Sequence, residues 1–82
     1  MTYELVIREK AQRDFAAIPP KDAARISQRI ADLAHDLRGD VKRLTNFTPS
    51  YRLRVGDWRV LFEVSDGVVV IYRVRHRREI YR

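Results

Sequence analysis

Apolar and polar residues alternate at period two from Tyr51 to Val64 and again beyond Val68, and two glycine-bearing turns interrupt the alternation. That period predicts antiparallel strands, because successive side chains leave a strand on opposite faces. Gly56-Asp57 fits a two-residue hairpin loop in which glycine supplies a positive φ. The register that follows sets Val55 opposite Trp58 and Arg54 opposite Arg59. Tyr51, Leu53 and Val55 then share one face with Trp58, Val60, Phe62 and Val64, while Arg52, Arg54 and Arg59 project together from the other. At Ser65-Asp66-Gly67 a three-residue loop with Val64 opposite Val68 is expected, since a two-residue loop drives Arg73 and Arg75 onto the helix-covered face. In that register Val68, Val70, Tyr72 and Val74 complete the apolar face, and Arg73 lies opposite Arg59. Leu61, Val69 and Ile71 then stand exposed among the arginines, a strip that fits a protein partner.

Upstream, Tyr3 to Arg8 alternates as a short strand, and Glu9 to Ala17 takes helical spacing through Ala11, Phe15 and Ile18. Pro19-Pro20 ends that helix and opens the next. From Pro20 to about Arg38, Ile26, Ile30, Leu33 and Leu37 step by three and four, with Gly39 at the C-cap position. Residues 39–50 read as a loop, in which Lys42 and Arg43 either extend a phosphate track or are simply solvated charges. The expectation is a single α+β domain over residues 1–82: an N-terminal strand, two helices on one face of a sheet, then a three-stranded antiparallel meander.

Charge divides the chain. Residues 1–41 hold seven Lys/Arg against seven Asp/Glu, whereas residues 42–82 hold ten against four, so the net charge of +6 belongs to the second half. A basic half on strands fits nucleic acid or an acidic protein better than a membrane surface, which calls for an amphipathic helix. Like charges opposite each other destabilise a sheet, so Arg54 facing Arg59 points to a polyanionic ligand. The chain has no cysteine and two histidines, His35 and His76, which leaves no thiolate chemistry and calls for neither metal nor cofactor. No apolar run reaches the length of a bilayer span and no signal pattern opens the chain, so a cytoplasmic location is expected.

The order of elements, with YRLRVGDWRVLFEV followed by VVVIYRVRHRREIYR, resembles the RelE/ParE superfamily of bacterial and archaeal toxins over nearly the whole chain. One branch of that superfamily cleaves messenger RNA on the ribosome, and the other, ParE, poisons DNA gyrase. The resemblance to the RelE branch implies a metal-independent endoribonuclease whose site contains Arg52, Arg54, Arg59, Arg77 and Tyr81, with His76 where several relatives carry a histidine. It also implies a RelB-like antitoxin that covers the site. Asn46-Phe47 departs from the glycine turn of many relatives.

Cleavage by 2′-hydroxyl attack needs a base, an acid and donors for the charge that builds on the phosphate. Arg54, Arg59 and Arg77 suit the last role, since guanidinium groups fork onto phosphate oxygens and stay charged. His76 is the natural acid, because imidazole exchanges protons near neutrality, although its arginine neighbours favour its neutral form. Tyr81 stacks on a base or orients the 2′-hydroxyl. Arg73, Arg75 and Arg78 join Lys42, Arg43 and Arg52 as RNA-binding residues, and Glu63 and Glu79 leave the general base open. A ParE-like gyrase inhibitor and an inactive nucleic-acid-binding module are the alternatives.

Overall fold

Two helices cover one face of a five-stranded mixed sheet in the computed structural model, which describes residues 1–80. The elements are β1 (Glu4–Ile7), α1 (Glu9–Ala16), α2 (Pro20–Leu33), β2 (Asp40–Arg43), β3 (Tyr51–Val55), β4 (Trp58–Ser65), β5 (Val68–His76) and α3 (Arg77–Ile80). Their order across the sheet is β1-β5-β4-β3-β2, with β1 parallel to β5 and the other pairs antiparallel. The expected meander is therefore extended by a strand at each edge.

Helix spacing converts directly into burial. Ala11 of α1 and Ile26, Ile30 and Leu33 of α2 are buried against Leu53, Val60 and Phe62 of the sheet. Helix α2 stops at Leu33 rather than near Arg38, because the N-terminal segment competes for its last turn. Tyr3 donates its N–H to the Ala34 carbonyl at 2.8 Å, and Asp36 donates to the Met1 carbonyl at 2.9 Å. Asp36 and Leu37 then take positive φ values of 60° and 55°, which no helix continues. Gly39, at φ 125°, completes the reversal; a Cβ there meets Leu53 Cδ1 at 2.8 Å, so the site needs glycine.

Residues 40–43, expected in a loop, form β2 and pair with β3: Asp40 opposite Arg54, Val41 opposite Leu53, Lys42 opposite Arg52. The β3–β4 register agrees with expectation, including Arg54 opposite Arg59.

The β4–β5 register does not. Ser65 pairs with Val68 across a two-residue loop, with Asp66 and Gly67 at φ 50° and 76°. Positive φ at both loop positions matches the twist of the flanking strands. Val64 then faces Val69 and Phe62 faces Ile71, so Val69 and Ile71 point into the core and are fully buried. The pairing next skips from Phe62–Ile71 to Leu61–Arg73, which leaves Tyr72 as the extra residue of a β-bulge. One inserted residue reverses the alternation. Arg73 and Arg75 therefore return to the uncovered face, while Val74 stays in the core at 3% exposure. The bulge removes the conflict that argued for the longer loop. The two-residue loop removes the exposed strip, since of Leu61, Val69 and Ile71 only Leu61 faces outward.

Asp14 ties α1 to the strand just past the bulge. Its carboxylate accepts from Arg73 Nε at 2.8 Å, Arg73 Nη2 at 3.0 Å and the Val74 N–H at 2.8 Å. Burial acts to raise the Asp14 pKa, but the hydrogen bonds from Arg73 and Val74 and the charge of Arg73 outweigh it and hold it below its ordinary 3.8. A lowered carboxylate pKa gives stability that is present above the unfolded-state value and lost as pH falls through the folded one. Asp14→Ala is expected to cost about 2 kcal/mol at neutral pH, after allowing for solvent screening of the one-third-exposed Arg73. Thermal melts should find the two proteins converging in stability as the pH drops below 3.8.

Candidate nucleic-acid interface

The sheet face away from the helices carries a groove of about 540 Å³. Its floor and one wall are apolar: Leu61 of β4, with Leu44, Phe47 and Pro49 from the β2–β3 loop. Lys42, Arg52, Arg59, Arg73 and Arg75 complete the lining, so five cations from four adjacent strands surround one apolar trough. Arg54 stands beside this group, opposite Arg59.

Neutralisation sorts these cations. Arg73 is spent on Asp14, which raises its pKa further through the hydrogen bond. Arg52 lies 3.8 Å from Asp40, and Arg75 pairs with Glu79 at 2.7 Å. Among the described residues, Lys42, Arg54 and Arg59 make no ion pair. Arg59 is the unusual member, because only 7% of it is exposed. Its Nη1 donates to the Gly56 carbonyl at 2.8 Å and the Trp58 carbonyl at 3.0 Å. Those carbonyls fix the guanidinium without cancelling its charge. A buried, uncompensated cation between Arg54 and Arg75 is costly unless an anion sits against it.

Several expected site residues fall elsewhere. His76 is opposite Trp58, and the two rings meet edge to face at 5.1 Å, so the imidazole stands on the Trp58 side of the sheet. Its Nδ1 accepts from the Arg78 N–H at 3.3 Å. It is not among the groove cations. Arg43 is opposite Tyr51 with its guanidinium 5.9 Å from that ring, which also puts it on the helix side. Arg77 reaches Asp57 at 3.7 Å at the end of the β3–β4 hairpin, and Arg78 is exposed on α3. Tyr81 lies outside the described residues. Glu63 is engaged: the Ser50 N–H and hydroxyl both donate to it, at 2.9 and 3.2 Å. Glu79 accepts from the His76 N–H at 3.1 Å and pairs with Arg75.

The sequence pattern overlooks Leu44, Phe47, Thr48 and Pro49 as groove residues. A composition rich in Thr, Asn and Ser gives a loop no period, so nothing local says which way its apolar members turn.

Residues 5–81 match the family described as ParE toxin of type II toxin-antitoxin system, parDE. Toxin RelG of Mycobacterium tuberculosis is 31% identical over 86 residues, a match covering 100% of this chain and 99% of that protein. Toxin RelE3 of Methanocaldococcus jannaschii is 38% identical over 47 residues, which cover 57% of this chain and 53%, about half, of that relative. The crystal structure of the toxin-antitoxin complex RelBE2 from Mycobacterium tuberculosis holds a chain that superposes with a TM-score of 0.81 at 28% identity, covering 94% of this chain and 100% of that one. The α+β fold of this chain is thus shared with a chain of a known toxin–antitoxin complex. The chain belongs to the RelE/ParE toxin superfamily.

Proposed function

We propose that this protein is the toxin of a type II toxin–antitoxin pair and acts as a ribosome-dependent messenger-RNA endonuclease. The observation that carries the proposal is Arg59, a 7%-exposed guanidinium without a carboxylate partner among the described residues, flanked by Arg54 and Arg75 on one face. Such a cluster suits the phosphate of a transition state better than a soluble surface.

In the proposed reaction the 2′-hydroxyl loses its proton and its oxygen attacks the adjacent phosphorus. The bond from phosphorus to the 5′-oxygen breaks, that oxygen takes up a proton, and the products are a 2′,3′-cyclic phosphate and a 5′-hydroxyl. Arg54 and Arg59 bind the non-bridging oxygens as charge accumulates on them, while Lys42, Arg52 and Arg75 track neighbouring phosphates. The pairing of Glu79 with Arg75 is a surface ion pair that a phosphate replaces at little cost. For Tyr81 the family resemblance supports a role beside the 2′-hydroxyl or a base.

The partner is a RelB-like antitoxin with an acidic segment that covers the groove. Charge complementarity supports it, and so does the relative crystallised as a toxin–antitoxin complex.

One observation favours the gyrase-binding alternative. His76 stands on the Trp58 side of the sheet, so among the described residues the groove lining holds no histidine or carboxylate to carry a proton. Pulse labelling after induction separates the two. Translation arrest is expected within minutes, with amino-acid incorporation falling before DNA synthesis; the reverse order supports a gyrase target.

A further inference from the structure

Phe47 is 68% exposed at the rim of the groove, and among the described residues the other exposed large hydrophobics are Met1, Val6 and Ile7, which lie in the N-terminal segment. Its loop is pinned at the base. Leu44 donates its N–H to the Ser50 carbonyl at 2.6 Å, and Ser50 is fastened to Glu63 by two hydrogen bonds at 2.9 and 3.2 Å. Asn46, at φ 62°, turns the chain immediately before the ring. Asparagine is among the few side chains that accept that conformation readily. The result is an aromatic ring held out of the core above a trough whose apolar members are Leu44, Pro49 and Leu61.

We propose that Phe47 is a base-stacking residue that holds one unpaired nucleotide of the bound RNA against the apolar trough while its phosphates lie on the cations. The proposal rests on the nucleic-acid reading of the groove and goes beyond it by naming what recognises a base. Recognition of single-stranded RNA combines stacking on an aromatic face with a cationic track for the backbone, and the groove is lined by both. Phenylalanine offers a π-face and no hydrogen-bonding group, so Phe47 contributes affinity and registers the strand without dictating the base. A tightly pinned loop lowers the entropy lost on binding.

The test uses the full chain and single-stranded RNA hexamers carrying 2-aminopurine at one position each, since stacking quenches that fluorophore. Wild-type protein is expected to quench one position more than the others. Phe47→Ala should lose that quench and weaken binding on the order of tenfold to a hundredfold, whereas Phe47→Trp should retain both. An unchanged far-ultraviolet spectrum and melt are expected, because the ring lies outside the core. Glu63→Ala, which frees the loop, should give an intermediate loss. Equal quenching by Phe47→Ala and wild type overturns the proposal, as does the absence of a quench at every position. So does weakened binding of a co-expressed acidic protein with RNA quenching unchanged, which makes Phe47 a protein anchor instead. A Phe47-dependent quench in a protein that leaves ribosome-bound message intact supports stacking and removes the nuclease reading.

Discussion

Arg54→Ala is expected to slow cleavage of ribosome-bound message by about a hundredfold or more while leaving the thermal midpoint nearly unchanged. Arg54 is exposed, faces away from the core and, among the described residues, carries no ion pair. Its removal therefore takes a positive charge from the phosphate site and little else. Arg59→Ala differs in kind. It strips two hydrogen bonds from the hairpin carbonyls of Gly56 and Trp58 and opens a void at a 7%-exposed position, so activity and stability should fall together. Comparing the two separates the charge from the scaffold: equal melts for wild type and Arg54→Ala, with full activity in the latter, remove Arg54 from the site.

Ile71→Asp is expected to abolish folding. Ile71 is fully buried opposite Phe62, so a carboxylate there is placed inside the apolar core cluster. The cost combines a lost aliphatic side chain with an unpaired buried charge, on the order of 4 kcal/mol or more, which rivals the whole stability of a small domain. Circular dichroism should find an unfolded or aggregated chain. A soluble, cooperatively melting Ile71→Asp protein contradicts the two-residue-loop register, because the three-residue loop is the pairing that leaves that side chain outside.

How far the sequence reaches is decided by which devices are local. Helix faces follow from the spacing of Ile26, Ile30 and Leu33, and the β3–β4 register follows from a glycine turn and strict alternation, so both are legible. Strand β2 is not, because its four residues contain one apolar position, Val41, and a single position has no period. It becomes a strand only by pairing with β3. The bulge leaves a trace that period-two counting passes over. Asp66-Gly67 is a strong two-residue turn signal, and honouring it while keeping Arg73 out of the core requires an extra residue between them. Val69 and Ile71 thereby change from partner surface to core.

The candidate site divides the same way. Arg52, Arg54 and Arg59 share a face by alternation, as read. His76 has the parity of Val74, which puts it with Trp58, and that parity was available in the chain. The burial of Arg59 depends on carbonyls presented by a formed turn, and the engagement of Arg73 depends on Asp14, 59 positions away. Neither is a pattern.

Mapping of new 5′ ends on ribosome-bound transcripts in a reconstituted translation reaction asks whether the arginine face cuts message. Wild-type protein should generate 5′-hydroxyl ends inside codons positioned on the ribosome, and Arg54→Ala should suppress them about a hundredfold. Intact messages at wild-type doses that arrest growth, accompanied by gyrase-linked DNA breaks, would exclude the nuclease activity.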